Sequence, residues 1–408
     1  MVAVAGLRGT GDWGTDERPK NFREFILFRN PNGSAPMFAL MARIASESLD
    51  DPEFSWWDEP NDLLRLKIDG AHTNLITTIT VNSADPSASA PGLPYGLATH
   101  LKAGDLLMHE DDAELQVLTH EIMQVVSVTN ATTFVVVRGV AGSTAVALVD
   151  TEFLLKIGSA YAEGTGAASA VSRNPIKYNN LCQIWKTSYE ITNTALETRA
   201  RTGKVLSNDK KRKTFDHSRD IELSMMFGQK FETTGANGKP LRFMGGLREF
   251  IPTDTTTIFS ANVTLTQYLD SLSPLFDFDS PAGDERIVFC GNTYLNTLNL
   301  LANSTGQIRF GDVIDVFGLK LREFILPQGR IFLRTHPLMN RHARYQASAF
   351  ILDFSSLKYR FLRDTKSKDN IQARDADTQK GQWLTEASLE VMRGGLTCGY
   401  HGNFISVA

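Results

Sequence analysis

Two short runs place a histidine beside carboxylates, the residue types that bind metals and transfer protons. The run HEIMQ (120–124) begins like the HExxH motif of zinc proteases, but Gln124 stands where the second imidazole is required. The run HEDD (109–112) offers several ligand atoms in a row, yet successive residues of a strand or loop point in different directions. We interpret the first run as a strand and the second as a solvated turn, so neither predicts a metal site.

The other residues capable of chemistry have simpler structural explanations. The run GANGK (235–239) lacks the spacing of a phosphate-binding loop and follows a predicted helix, so it is interpreted as a flexible hinge. Cys182, Cys290 and Cys398 form no CxxC pair and are interpreted as reduced, buried or half-buried thiols. His217 is interpreted as a surface or half-buried histidine. No catalytic residue, metal or cofactor is predicted, and an enzyme with catalytic groups far apart in sequence stays as an alternative.

Composition and charge narrow the class of protein. The chain has 408 residues, of which 42% are hydrophobic and 22% charged, so it can form sizeable cores and is long enough for two or three compact units. Lys and Arg total 42 against 46 Asp and Glu, which argues against binding nucleic acid through a broad basic face. The N-terminus lacks the apolar run of a signal peptide, and no window is apolar enough to predict a membrane span.

Residues 1–35 are predicted to be an extended N-terminal arm. They are rich in Gly, Thr and charge, and they cannot bury enough apolar surface to fold alone. A short apolar stretch inside the arm would be costly to leave in water, which predicts that it docks on this or another subunit. That stretch contains Phe22, Phe25, Ile26 and Phe28.

Residues 36–71 are predicted to form a helix followed by an extended limb. The helix starts at Pro36 and ends before Asp50-Asp51-Pro52, with an apolar face of Phe38, Met41, Ala42 and Ala45. The limb continues to a half-exposed strand in which Leu64, Leu66 and Ile68 alternate with charged residues. Trp56 and Trp57 must point to opposite sides of this limb, so one is expected in the core. For the other, a second core contact and a contact with another subunit both stay open.

Residues 72–162 are predicted to form a small, mostly antiparallel β-domain of barrel-like form without a long helix. The evidence is a set of short β-branched runs separated by Gly, Asn and Pro turns. These runs are LITTITV (75–81), EIMQVVSV (121–128), TTFVVVRG (132–139) and EFLLKI (152–157). In the segment that follows, 163–207, residues 183–192 alternate as one long strand, with Trp185 and Tyr189 on one face. Two limbs thus frame the β-domain, as in a hairpin that carries it at the tip.

The clearest helix covers residues 208–233, within a segment 208–240. Asn208 or Asp209 can cap it, and Leu223, Phe227 and Phe231 repeat at four-residue steps. Its opening run KKRK (210–213) is unfavourable at a helix N-terminus and is interpreted as a solvated end, with contact to an acidic surface or nucleic acid as the alternative.

The last two segments complete an α+β fold class. Segment 241–335 is a mainly α/β region with a capping box at Thr264 and Gln267, and with a buried strand at 286–290 that leads into a helix. Segment 336–408 is dominated by strands at 357–363 and 387–392, joined by a charged loop from Asp364 to Lys380.

This order of elements resembles the subunit of the Hong Kong 97-type capsid fold of tailed bacteriophages, in the branch with a β-domain inserted in the extended loop. Particular strings are similar to that branch, although Leu181-Cys182 departs from its usual aromatic and Thr. The strings are PEFSWWDEP (52–60), VVVRGVAGSTAVAL (135–148), IGSAYAEG (157–164), NNLCQIWKTSYEITNTA (179–195), IELSMMFGQKFE (221–232) and RFMGGLREFI (242–251).

The resemblance implies a structural role without an active site. It implies an N-terminal arm, an extended loop, a spine helix at 208–240, an axial domain at 241–335 and a return to the peripheral domain at 336–408. A major capsid protein of this type self-assembles into hexamers and pentamers of an icosahedral head around double-stranded DNA, which it contacts without sequence specificity. Scaffold, portal and decoration proteins are the further partners considered, and the location is the virion, assembled in the host cytoplasm.

The residues expected at assembly contacts are aromatic and lie in the arm and in the two limbs. They are Phe22, Phe25, Phe28, Trp56, Trp57 and Trp185. The competing hypothesis is another β-rich virion component, such as a tail or decoration protein, in which the β-domain would be the functional core. The long helix preceded by a hairpin argues against it.

Overall fold

The computed structural model describes residues 35–405 except 45, 60–64, 85–95, 111–119, 169, 173, 201–202, 261, 306–309 and 317–318. The α-helices are α1 (Pro36–Ile44), α2 (Asn193–Glu197), α3 (Val205–Phe227), α4 (Leu247–Phe250), α5 (Leu265–Leu272) and α6 (Asn292–Thr305). The first strands are β1 (Ser46–Ser48), β2 (Glu53–Asp58), β3 (Arg65–Lys67), β4 (Thr78–Thr80), β5 (Asp105–Glu110), β6 (Ile122–Val128), β7 (Thr133–Val140), β8 (Phe153–Ser159), β9 (Ile176–Leu181) and β10 (Gln183–Thr192). The others are β11 (Phe231–Thr234), β12 (Pro240–Phe243), β13 (Thr256–Ile258), β14 (Glu285–Cys290), β15 (Phe310–Val316), β16 (Leu319–Ile325), β17 (Arg330–Thr335), β18 (Ala349–Leu352), β19 (Leu357–Lys368), β20 (Thr378–Val391) and β21 (Gly399–Gly402).

Six strands close into a small barrel with its own core. The sheet runs β3-β8-β5-β6-β7-β4 with antiparallel neighbours, and a bridge between Ile68 and Val81 joins its two edges. The interior consists of apolar side chains that alternate with outward-facing residues along each strand. Leu66, Ile68, Ile79, Val81, Leu107, Met123, Phe134 and Leu154 belong to it. The barrel-like form expected from the alternating runs is therefore present.

The barrel differs from the sequence prediction in two places. Leu66 and Ile68 were placed on the outgoing limb, but β3 pairs with β8 and buries both side chains in the barrel core. Strand β5 was not predicted, and His109 was assigned to a solvated turn, whereas its side chain is only 4% exposed inside that strand. Both errors arise because a short strand next to a turn carries too little local pattern to show its pairing partners.

The long helix α3 packs on a four-stranded sheet ordered β1-β19-β20-β10. In β10 the alternation predicted from the sequence is confirmed, since Trp185, Tyr189 and Ile191 are buried. The residues of the other face are exposed, namely Ile184, Lys186, Ser188 and Glu190. The core between helix and sheet also takes in α1, whose buried residues are Met37, Leu40 and Met41. The predicted helix at Pro36 is thus confirmed, although Ala42 is exposed and the helix ends at Ile44.

Helix α3 covers residues 205–227, so the predicted helix begins and ends too late. Its N-cap is Lys204, without a side-chain cap, and Phe231 lies in β11. Gly228 ends the helix because its backbone meets the Gly245–Gly246 turn, where Gly246 N–H donates to the Gly228 carbonyl at 2.9 Å. A Cβ at Gly228 would lie 2.5 Å from the Ser224 carbonyl oxygen. The glycine, and not the apolar spacing, fixes this boundary.

The third large sheet has seven strands, both parallel and antiparallel, in the order β13-β21-β18-β14-β17-β16-β15. The predicted buried strand is β14, which pairs in parallel with β17 and antiparallel with β18. Helix α5 begins with the predicted capping box, in which Thr264 and Gln267 exchange side-chain and backbone hydrogen bonds. The charged loop expected at 364–380 is shorter than predicted, because β19 runs to Lys368 and β20 starts at Thr378.

Strands β2 and β9 pair antiparallel and form a two-stranded ribbon. The ribbon connects the barrel to the rest of the subunit, which we call the body. The predicted hairpin of two limbs is present over 53–58 and 176–181, but the second limb leaves the ribbon at Cys182 and enters the four-stranded sheet as β10. The order of elements is the one expected from the resemblance to the Hong Kong 97-type subunit, and the fold class is α+β as predicted.

Candidate assembly surfaces and the residues that position them

One face of the ribbon packs against the body, and the other face is exposed to solvent. Trp56 is 8% exposed, and its ring packs against Phe250 at 5.7 Å and Tyr178 at 6.1 Å between centroids. Trp57, the next residue, points the other way and is 62% exposed. The Asp58 carboxylate accepts the Gly394 N–H at 2.6 Å and holds the ribbon to the body. A large aromatic ring is thus presented to solvent on a rigid support, as expected for a residue that binds a partner.

A single asparagine joins the ribbon to two other elements. Asn180 in β9 is 0% exposed, and its Nδ2 donates to the carbonyls of Gly245 at 3.0 Å and Leu389 at 2.7 Å. Its Oδ1 accepts the Leu181 and Gly245 N–H groups, both at 2.8 Å. All hydrogen-bonding positions of this amide are therefore filled. Sequence analysis did not select Asn180, although an asparagine beside apolar residues in a strand is unusual enough to be a signal.

A buried carboxylate fixes the start of helix α1. Glu222 on α3 is 0% exposed and accepts the N–H groups of Met37 at 2.9 Å and Phe38 at 2.7 Å. His336, at the end of β17, donates from Nε2 to the same carboxylate at 2.7 Å, while its Nδ1 accepts the Leu338 N–H. The carboxylate satisfies two free donors at the helix N-terminus, where negative charge is favourable. One residue therefore links α1, α3 and the seven-stranded sheet.

The hairpin β11–β12 presents a second apolar surface. Phe231 lies directly opposite Phe243, with ring centroids 6.5 Å apart, and Leu241 follows on the same face. The three side chains are 61%, 39% and 45% exposed respectively, and we call them the hairpin face. The run GANGK, interpreted as a flexible hinge, is the turn of this hairpin.

A third apolar surface lies at one end of the barrel and is held by a buried ion pair. Arg138 and Glu121 are joined by two hydrogen bonds of 2.6 Å, with side chains 5% and 0% exposed. Arg138 also donates to the carbonyls of Ile76 and Val146, which ties two loops together. These loops expose Leu75 (85%), Ile76 and Val146, which we call the barrel tip.

Three buried histidines are each hydrogen-bonded in a different part of the fold. His109 Nε2 donates to the Glu152 carboxylate at 2.8 Å, inside the barrel wall. His217 is 2% exposed, not a surface residue, and bonds Thr187 and Thr385, and burial lowers its pKa. His401 lies against Tyr294 in the seven-stranded sheet, where burial lowers its pKa to about 3. Within the part of the chain that the structure describes, no three His, Cys, Asp or Glu residues are placed to hold a metal.

The family of the chain follows from comparison with known proteins. A sequence profile described as SU10 major capsid protein matches residues 10–395. The chain belongs to the SU10 major capsid protein family. As a member of this family it is a phage major capsid protein and a component of the virion, and the family is structural rather than enzymatic. The alternative of a tail or decoration component is therefore not retained.

Individual relatives of this SU10-family chain are distant in sequence. The major capsid protein of Pseudomonas phage PaMx41 is 23% identical over 416 residues, covering 96% of this chain and 94% of the relative. A solved structure of Mycobacterium phage Bobi is similar with a TM-score of 0.45 and 7% identity, covering 96% of both chains. One of Microbacterium phage Oxtober96 is similar with a TM-score of 0.44 and 9% identity, again covering 96% of both chains.

The expected assembly residues of this SU10-family protein have different surroundings. Trp185 is 7% exposed and donates from Nε1 to Ser224 Oγ at 3.2 Å, so it joins β10 to α3 inside the subunit. Trp56 likewise packs in the core of the subunit at 8% exposure. For Trp56 and Trp185, contact with a neighbouring subunit stays a prediction. Trp57 is exposed, and its contact with a neighbour stays a prediction. Phe22, Phe25 and Phe28 lie outside the described residues.

The three cysteines of this SU10-family subunit are predicted to resist alkylation while it is folded. All are free and buried, and burial raises the pKa of Cys182, Cys290 and Cys398 to about 12. At pH 8 only about one thiol in ten thousand would be ionised, and the thiolate is the reactive form. Mass spectrometry after iodoacetamide treatment should show no adduct on the native subunit and three after denaturation. Rapid labelling of the native subunit would contradict the buried positions.

Proposed function

We propose that the subunit assembles into hexamers and pentamers of an icosahedral phage head that encloses double-stranded DNA. The observation that carries this proposal is Trp57, 62% exposed on a ribbon whose other face is fixed to the body. The barrel tip adds exposed apolar surface on a second element. Separate surfaces of this kind suit a subunit that touches several neighbours at once, since many modest contacts combine in a closed shell.

The charge of the subunit supports a wall that encloses DNA without gripping it. The formal net charge is -4, so affinity for phosphate must come from local basic groups. Lys211 and Arg212 are exposed on α3, whereas Lys210 pairs with Asp369 at 3.1 Å. DNA contact is therefore non-specific in this proposal.

Assembly takes place in the host cytoplasm, with scaffold, portal and decoration proteins as further partners, and the subunit itself has no catalytic role. Within the described residues, no helix is both long and apolar enough to cross a membrane.

Replacing Trp57 by Asp is expected to weaken assembly without unfolding the subunit. An exposed tryptophan at the centre of an interface contributes about 2 kcal/mol or more to association, so the critical concentration for shells should rise about thirtyfold. Sedimentation velocity and negative-stain microscopy of the purified full chain measure this concentration.

The variant Trp57→Phe is the matched control, because it retains an aromatic ring and should assemble near the wild-type concentration. Thermal unfolding of the dissociated W57D subunit should match that of the wild type. Shells of W57D at the wild-type critical concentration would overturn the role of this face. A wild-type chain that forms no rings, tubes or shells at any concentration would overturn the proposed assembly.

A further inference from the structure

The hairpin face is apolar surface that the described residues leave partly exposed. Phe231, Leu241 and Phe243 lie on one side of a two-stranded sheet that pairs with no third strand in the described part of the chain. The opposite side carries Glu232 and Arg242, which form an exposed ion pair at 3.0 Å. A lone two-stranded hairpin is only marginally stable in water, and neighbouring aromatic rings left exposed mark a contact surface.

The arm is attached close to this surface. Its last residue is followed by α1, whose Met37 and Phe38 N–H groups bind Glu222, five residues before α3 ends at Phe227. Strand β11 begins at Phe231, four residues beyond that end. At about 1.5 Å per helical residue and 3.5 Å per extended residue, the attachment of the arm and the hairpin lie within roughly 25 Å.

The arm has the length and the residues to cover the hairpin face. Phe25 precedes Ala35 by ten residues, a reach of up to about 35 Å, and Phe28 has a reach of about 25 Å. Phe22, Phe25 and Phe28 give this segment three aromatic side chains. The segment therefore has apolar groups to match a face of three apolar side chains.

We infer that residues 22–28 of the arm bind the hairpin face of the same subunit. The arm carries the apolar side chains that complement Phe231, Leu241 and Phe243, and its attachment at Glu222 keeps it within reach. Binding covers both apolar groups before the subunit meets another copy. The contact lies within one chain, so its test does not depend on whether shells form.

Paired cysteine substitutions test this contact in the full chain. Phe25→Cys with Leu241→Cys should form a disulfide on mild oxidation, seen as a monomer of altered mobility on a non-reducing gel and as a linked peptide by mass spectrometry. The native thiols give little background because all three are buried. The matched control is Phe25→Cys with Thr234→Cys, because Thr234 lies on the opposite side of the hairpin and should link at least tenfold more slowly.

Limited proteolysis gives a second measurement that needs no new bond. Arg23 and Arg29 are trypsin sites inside the arm, and the variant L241S/F243S should be cut there at least tenfold faster than the wild type, with an unchanged unfolding temperature of the core. Links that form only between two chains would overturn the assignment to the same subunit. Equal linking in both cysteine pairs, or equal cleavage of variant and wild type, would overturn the contact altogether.

Discussion

Replacing Glu222 by Ala is expected to lower the free energy of unfolding by about 3–5 kcal/mol, since it leaves three buried donors without an acceptor. The donors are the N–H groups of Met37 and Phe38 and the Nε2–H of His336. We also expect shells to be lost, because α1 carries the arm and would no longer be fixed to α3. Urea unfolding of the dissociated subunit and negative-stain microscopy measure the two effects.

Two further variants make the Glu222 prediction specific. Glu222→Gln keeps the shape but places an NH2 group opposite a donor, so a loss of about 1–3 kcal/mol is expected. Glu232→Ala removes an exposed carboxylate paired with Arg242 and should cost less than about 1 kcal/mol. A Glu222→Ala subunit as stable as Glu232→Ala would show that the buried hydrogen bonds do not hold α1.

Replacing Asn180 by Ala is expected to reduce the free energy of unfolding by about 3–5 kcal/mol and to release the ribbon from the body. Two N–H groups and two carbonyls would lose their partner at a position that is 0% exposed. Hydrogen exchange should then rise at Tyr178 and Leu181 more than in the barrel core. Unfolding by denaturant and exchange mass spectrometry on the unassembled subunit measure both changes.

The neighbouring residue provides the control for Asn180. Asn179 is half-buried on the other side of β9, where its amide bonds Glu53 and Lys230 near solvent. Asn179→Ala should cost about 1 kcal/mol and leave the exchange of β9 nearly unchanged. Equal destabilisation by the two alanine variants would argue against Asn180 as the residue that joins the ribbon to the body.

The runs HEIMQ and HEDD show where prediction from local sequence succeeded and where it failed. For HEIMQ the sequence correctly predicted a strand, because the alternation of apolar residues is a local property. For HEDD it predicted a solvated turn, and His109 is buried. The difference comes from Glu152, which directly precedes β8 and lies 43 residues from His109 in sequence. Its hydrogen bond to His109 compensates for the burial of the polar ring.

The sequence by itself determined the type of the longer helices and strands and the apolar face of strand β10. The long strand at 183–192 and the capping box at Thr264 follow from spacing alone, because side-chain direction repeats every two or 3.6 residues. Only the tertiary structure decided which buried polar side chain forms hydrogen bonds with which backbone group. Glu222 meets α1 across 185 residues, and Asn180 meets Leu389 across 209. Such pairs depend on how whole elements pack, and no local pattern contains that information.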